Sequence, residues 1–112
     1  MRFKKAARLR RRREFLAVQE RGRKLPAGPY LVLLLPNGCG RARLGITVSS
    51  RVAGAVGRNR VKRWVREAFR ARADALPPVD VVIIARREAP ESGLAAARAA
   101  IEVAVRAGGP AA

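Results

Sequence analysis

The stretch Gly57–Arg70, GRNRVKRWVREAFR, decides the fold because its apolar residues recur at the spacing of one helix face. At about 100° per residue, one arc of this segment collects Val61, Trp64, Val65, Ala68 and Phe69. The opposite arc collects polar and mostly cationic side chains, namely Asn59, Lys62, Arg63, Arg66 and Arg70. An amphipathic helix from about Ala55 to Ala75 is therefore predicted, and Pro77 and Pro78 end it. Its apolar arc must pack against another surface.

Other segments supply the strands of a sheet for that helix to cover. The run Tyr30–Leu35 is apolar on both faces, as expected of an interior strand. Residues 41–50 alternate between apolar and polar side chains, which predicts a second strand antiparallel to the first. The β-branched run Val79–Ala85 predicts a further central strand, and a short extra strand is expected near Arg23.

A helix is predicted at each end of the chain. RLRRRREFLAVQERG, residues 8–22, has a narrow stripe of Leu9, Phe15, Leu16 and Val18, and Gly22 ends it. Its first turns carry Arg8 and Arg10–Arg13, the wrong sign of charge for a helix N-terminus. Either an anionic partner offsets this cost, or the segment is a frayed basic tail. Residues 92–109 predict the last helix, with Leu94, Ile101 and Val105 on one side and Gly108 as the stop.

The charge of the chain is large and unevenly distributed. Among 112 residues there are 25 Lys and Arg against 8 Asp and Glu, a formal net charge of +17. Residues 1–66 hold 19 of the basic and 2 of the acidic side chains, and residues 67–112 hold 6 of each. Such a distribution indicates a polyanionic partner, first a nucleic acid and second an anionic membrane surface. An Arg-rich composition can also reflect a GC-rich genome.

The residue types present argue against a catalytic centre on the protein. The sequence has no His, and its eight acidic residues are scattered, with no DxD pair. Cys39 is the single cysteine, so an intrachain disulfide and a CxxC metal site are both excluded. No segment approaches the roughly 20 apolar residues of a membrane span. A cytoplasmic protein without a cofactor of its own is therefore predicted.

Three segments together resemble the protein subunit of bacterial ribonuclease P. They are RLRRRREFLAVQERG, RLGITVSSRVAGAVGRNRVKRWVREAFR and VDVVIIARR. The family's RNR signature stands at Arg58-Asn59-Arg60, followed by Lys62, Arg63, Arg66 and Glu67. The resemblance implies an α+β fold, a small two-layer α–β sandwich of order αβββαβα like the second domain of ribosomal protein S5. It also implies a left-handed βαβ crossover, where the general rule predicts a right-handed one. Residues 1–7 would be a basic arm, 8–107 the single domain and 108–112 a tail.

The resemblance also implies a function. The subunit would bind the catalytic RNA in a 1:1 complex, and that RNA would hold Mg²⁺ and remove the 5′ leader of precursor tRNA. The helix residues implied to contact this RNA are Arg58, Asn59, Arg60, Lys62, Arg63 and Arg66. The leader would lie in a cleft between the first helix and the sheet, lined by Arg11, Arg12, Arg13, Phe15, Tyr30, Arg43, Thr47, Ser49 and Arg51. Phe15 and Tyr30 would stack on unpaired bases; for each, packing in the core is the alternative.

The chain departs from the family pattern at the cleft, and other functions stay open. Gln19 and Leu33 occupy positions where the family often has aromatic residues, and Ser50-Arg51 replaces the usual Lys-Lys. A structural RNA-binding protein, such as a ribosomal protein of similar fold, would bind RNA without affecting cleavage. A membrane-surface helix is a third possibility, which is disfavoured because a core would need Trp64 and Phe69.

Overall fold

The computed structural model describes Arg8, Leu9 and residues 11–108. Its elements are α1 (Arg12–Arg21), β1 (Arg23–Ala27), β2 (Tyr30–Pro36), β3 (Arg43–Thr47), α2 (Ala55–Arg72), β4 (Val79–Ala85) and α3 (Gly93–Gly108). This is the predicted αβββαβα order of a small α+β fold. Short 3₁₀ turns follow α2 and precede α3. Within the described residues, no helix is long and apolar enough to cross a membrane.

The four strands form one mixed sheet in the order β1-β2-β4-β3. β2 is antiparallel to both β1 and β4, and β3 runs parallel to β4. β3 therefore runs antiparallel to β2, as predicted, but the two strands do not pair with each other, because β4 lies between them. β2 and β4 are apolar on both faces and take the interior positions, whereas β3, which carries Arg43, lies outside them. A parallel pair needs a long crossover, and α2 supplies it.

One face of the sheet is covered by α2 and α3. Val61, Val65 and Phe69 of α2 are buried there, as predicted, and each such side chain contributes about 1.5–3 kcal/mol. On α3 the buried residues are mainly small: Ala97, Ala100, Ile101 and Ala104. The predicted apolar residues Leu94 and Val105 are only half-buried. The alanines let α3 approach the sheet closely, so this face forms the main core.

The other face is covered in part by α1. Its core is small and consists of Leu9, Val18, Leu33 and Val82. α1 begins at Arg12, not near Arg8 as predicted, because Arg8 and Leu9 extend beside β3 instead. There the Leu9 N–H donates to the Leu44 carbonyl at 2.9 Å.

Some of the predictions for the two ends of the chain concern residues that the structure does not describe. Residues 1–7, Arg10 and residues 109–112 lie outside the described residues, so the basic arm and most of the tail stay predictions. Gly108, expected to begin the tail, is the last residue of α3. The described chain thus starts along β3 and finishes in the helical layer.

Candidate RNA-binding site

The cationic face of α2 comprises Arg58, Arg60, Lys62, Arg63 and Arg66, with Asn59 among them. Asn59, Arg60 and Arg63 are exposed, and the others are half-buried. Arg58 donates from Nη1 to the Ala53 carbonyl at 2.9 Å, which fastens it to the loop before the helix. The Arg60 guanidinium lies 5.9 Å from the centre of the Trp64 ring. All six predicted RNA-contacting residues therefore lie on one helix, between Arg58 and Arg66.

The electrostatics of this face are unfavourable for the isolated fold. α2 begins after Gly54, which gives no side-chain cap, and its first turn contains no acidic residue. Arg58 therefore adds positive charge close to the positive end of the helix dipole. Burial lowers the pKa of Arg66, and the nearby charge of Arg8 lowers it further. Bound anions would relieve each of these costs.

The outer face of α3 provides an internal comparison, because α3 packs beside α2 on the same face of the sheet. Its outer side chains are mainly alanines with Arg98, Glu102 and Arg106. Glu102 accepts hydrogen bonds from Arg72 of α2, which forms an ion pair between the helices. A helix in this layer can therefore fold with balanced outer charge. The cationic face of α2 is not a requirement of packing.

Phe15 lies between α1 and β3, where the leader cleft was predicted. Its ring is packed so closely on Gly45 that a Cβ at that position would lie 2.6 Å from a ring carbon. Phe15 remains partly exposed. A pocket of about 110 Å³ opens beside the ring, and Lys62 and Arg66 of α2 also line it. The structure thus brings the predicted stacking ring and part of the cationic face to one pocket.

Tyr30 does not lie in this cleft, so the prediction that it stacks on leader bases is wrong. Its side chain points to the face covered by α2 and α3, and it is 0% exposed. Strand residues alternate between faces, so Tyr30 lies with Val32, while Leu33 lies under α1. Burial raises the pKa of Tyr30, and the neighbouring Ser92 side chain opposes part of that increase. Core packing, the alternative considered for this residue, is what the structure shows.

Arg43 lies on the predicted polar face of β3, but its guanidinium binds carboxylates of the protein. Nε and Nη2 each donate to Asp80 at 2.8 Å, and Nη1 donates to Glu14 at 2.9 Å. Hydrogen bonding to Asp80 raises the pKa of Arg43, and burial opposes the increase. Sequence reasoning missed both acids. Asp80 could have been noticed, because a charge inside the apolar run Val79–Ala85 needs a buried partner.

The remaining predicted cleft residues lie around α1 and at the end of β3. Arg11, Arg12 and Arg13 are exposed at the start of α1. Arg13 also lines a groove of about 320 Å³ together with Arg21 and Arg43. Thr47 is half-buried, whereas Ser49 and Arg51 are exposed in the loop after β3. These positions suit contacts with an extended polyanion, and their roles stay predictions.

The two departures from the family pattern also have a structural setting. Leu33 is 1% exposed and packs in the small core with Val18 and Val82, so its side chain is not available in the cleft. Gln19 lies half-buried on α1, one turn after Phe15. Of these cleft positions, Phe15 alone offers a partly accessible ring.

The described residues do not fit a metal site. In this part of the chain, no group of three His, Cys, Asp or Glu side chains is placed to hold an ion. Asp80 and Glu14, which do come near each other, are joined by the Arg43 guanidinium.

The family comparison agrees with this geometry. The sequence model of the family described as Ribonuclease P matches residues 3–107. This chain belongs to the ribonuclease P protein family. Among the family's curated proteins, the ribonuclease P protein component of Desulfovibrio desulfuricans is 46% identical over 99 residues, which cover 86% of this chain and 76% of that protein. The protein component from Shouchella clausii is 41% identical over 102 residues, covering 89% and 84% of the two chains.

Solved structures of ribonuclease P proteins share the fold. The protein from Staphylococcus aureus superposes with a TM-score of 0.82 at 27% identity and covers 92% of this chain and 95% of its own. The protein from Thermotoga maritima gives a TM-score of 0.79 at 34% identity, with coverage of 88% and 96%. The resemblance predicted from the RNR signature is thereby confirmed at the level of family and fold.

Proposed function

We propose that the cationic face of α2 binds the catalytic RNA of ribonuclease P, while the cleft beside Phe15 receives the 5′ leader of precursor tRNA. Family membership makes the chain a protein subunit of ribonuclease P, and an RNA partner follows from it. The observation that carries the finer proposal is the charge of α2. The apolar side of α2 packs on the sheet as the apolar side of α3 does. The outer face of α2 carries positive charges that folding does not need, and the helix starts without a side-chain cap or an acidic residue.

The geometry suggests how the two RNA contacts are divided. Arginine forks and the Lys62 ammonium suit the phosphates of a folded RNA, and Asn59 can both donate to and accept from a base edge or a 2′-hydroxyl. The partly exposed ring of Phe15 can stack on an unpaired base. Because Lys62 and Arg66 line the pocket beside this ring, they support the phosphate next to the stacked base.

The protein would position RNA and neutralise its charge, and the RNA subunit would hold Mg²⁺ and cleave the leader. A sequence without His supplies no imidazole for proton transfer, so a role for the protein in binding agrees with its residue types. The 1:1 stoichiometry and the cytoplasmic location stay predictions.

Reconstitution with a ribonuclease P RNA tests this proposal. Cleavage of precursor tRNA is measured over a range of Mg²⁺ concentrations, with and without the protein. We expect the protein to lower the Mg²⁺ requirement, because its cations replace part of the counterion atmosphere. The alternative, a structural protein for another RNA, predicts binding to RNA but no gain in cleavage at any Mg²⁺ concentration.

A single substitution tests whether α2 is the binding surface. Arg66→Ala should weaken binding of the RNA subunit and reduce the slope of log affinity against log salt by about 0.7–0.9, the value for one phosphate contact. Arg98→Ala is the matched control, since it removes the same charge from the outer face of α3. An unchanged slope for Arg66→Ala, or an equal change for both variants, would show that α2 is not the RNA-binding face.

A further inference from the structure

We propose that Glu14 and Arg43 form a positioning pair that fixes where α1 lies over the sheet, and with it the shape of the cleft that receives the leader. This inference rests on the proposed role of the cleft in leader binding. It assigns Arg43 a task different from the direct RNA contact that its sequence position implied. The pair acts through α1 and touches no RNA itself.

The Arg43 side of the pair is rigidly held by the sheet. Asp80 is 5% exposed, and both its oxygens accept from the Arg43 guanidinium at 2.8 Å. Asn37 donates from Nδ2 to the same carboxylate at 2.8 Å and to the Arg41 carbonyl at 3.0 Å. A two-pronged bond of this kind fixes the direction of the guanidinium as well as its place. The remaining nitrogen, Nη1, is thereby aimed at α1.

The Glu14 side of the pair joins that nitrogen to the first turn of α1. Oε2 of Glu14 accepts from Nη1 of Arg43 at 2.9 Å, and Oε1 accepts from the backbone N–H of Arg11 at 3.0 Å. The second contact satisfies an N–H group at the helix start, which has no partner within the helix. One carboxylate therefore both begins α1 and ties it to β3 and β4.

α1 buries little apolar surface, so its ion pair with Arg43 can influence its position. Within α1, all of which is described, only Val18 is buried, whereas four residues of α2 are. A helix with so little buried apolar surface has its position set less strictly by packing. Hydrogen-bonded ion pairs at one end can therefore decide where it lies.

The pair is directly connected to the cleft. Phe15 follows Glu14 in the chain, and the Phe15 ring lies over Gly45, which is two residues beyond Arg43 in β3. A shift of the first turn of α1 would therefore change the height of the ring above the strand and the width of the adjoining pocket. The backbone of α2 would keep its place, because its apolar side chains pack on the other face of the sheet. Of its cationic residues, only Lys62 and Arg66 line the pocket whose width would change.

Glu14→Gln is the informative variant. It keeps the size of the side chain and an acceptor for the Arg11 N–H, but it removes the charge that faces Arg43. It also leaves the buried Asp80 paired with Arg43. Glu102→Gln is the matched control, because it removes the same charge from the Arg72–Glu102 ion pair in the helical layer. Arg43→Gln is less suitable, since it would leave Asp80 buried without its cation.

The measurement is the ratio of holoenzyme affinities for precursor tRNA with a leader and for tRNA without one. For Glu14→Gln we expect this ratio to fall about two- to fivefold, as for the loss of one partly exposed ion pair. Binding of the RNA subunit should stay unchanged. Glu102→Gln should alter neither quantity. Glu14→Asp, which keeps the charge, should recover part of the ratio.

The possible outcomes separate this inference from the proposed function. If the unmodified protein shows no preference for a leader, the proposed function fails. If it shows the preference and Glu14→Gln keeps it in full, the positioning pair is refuted. Thermal unfolding of all the variants is recorded as well. A leader preference that follows melting temperature, and not the charge at residue 14, would also overturn the inference.

Discussion

The two faces of the sheet are built from the same strands but differ in how completely helices cover them. On the face under α2 and α3, Tyr30, Val81 and Ile83 are fully buried, and the main core is closed. On the face under α1, the core is small, and Phe15, Leu31 and Ile84 remain partly accessible at its margin. The difference indicates a division of labour. The closed face holds most of the buried apolar side chains, and the open face leaves part of its apolar surface accessible.

The largest expected effect is on the closed face. Phe69→Ala should lower the free energy of unfolding by about 3–5 kcal/mol, because it opens a cavity beneath α2. Val18→Ala, the corresponding loss under α1, should cost roughly 1–2 kcal/mol from the apolar groups removed. Urea unfolding of both variants checks the comparison. Equal costs would mean that the two faces contribute alike and that the division is incorrect.

A smaller effect is expected at the open face from Gly45→Ala. The new methyl group would lie within 2.6–2.8 Å of the Phe15 ring, so the ring must move away from β3. We expect a cost of about 1–3 kcal/mol in stability, as for other overpacked sites, together with weaker discrimination in favour of substrates with a leader. Gly54→Ala, where a Cβ would meet nothing within 4 Å, is the control. Full leader discrimination in Gly45→Ala would show that the ring position is unimportant.

The smallest effect at neutral pH is expected from Tyr30→Phe. The Ser92 hydroxyl already donates to the Ala89 carbonyl at 2.7 Å, and the buried Tyr30 hydroxyl has no hydrogen bond of normal geometry among the described residues. Its removal should therefore change stability by less than about 1 kcal/mol. If Tyr30 contacted the leader in the cleft, Tyr30→Phe would weaken leader binding. We expect no such loss, because Tyr30 is buried in the main core.

The pH dependence of stability gives Tyr30 a signature of its own. Because the pKa is raised in the folded state, the stabilising contribution is complete below the ordinary value of 10.0 and is lost as pH rises towards and through the folded value. Above pH 10.0, the free energy of unfolding of the wild type should therefore fall more steeply with pH than that of Tyr30→Phe. Tyr30 is the single tyrosine of the chain, so its near-ultraviolet absorbance reports its ionisation directly. Ionisation at the ordinary pKa would show that the ring is accessible.

The sequence predicted the bounds of individual helices and strands better than it predicted which strands pair with each other. α2 and β4 have strong periodic or continuous apolar patterns, and their bounds agree closely with the structure. The pairing of β2 with β4 depends on competition between segments far apart in the chain, which local pattern does not record. The start of α1 was misplaced for the same reason, since Leu9 bonds to Leu44 and not to its own neighbours.

The site was predictable only as far as each residue's surroundings could be inferred. Helix periodicity predicts that Asn59, Lys62, Arg63 and Arg66 lie away from the apolar arc, and none of the four is buried in the structure. Tyr30 begins a strand that is apolar on both faces, and nothing local tells which face is covered by which helices. Arg43 was placed on the correct side of β3, but its partners Glu14 and Asp80 come from two other elements. Charge alone therefore did not distinguish a ligand contact from an internal ion pair.

The bond between Leu9 and Leu44 has a consequence for the protein before it meets RNA. Without Arg8 and Leu9, β3 would be an uncovered border of the sheet, and such borders recruit strands from other molecules and lead to aggregation. The opposite border, β1, contains Lys24 and Pro26, a charge and a residue without an amide hydrogen, which both discourage such recruitment. Arg8 and Leu9 thus occupy part of the β3 border, which leaves fewer of its backbone groups open to a strand from another molecule.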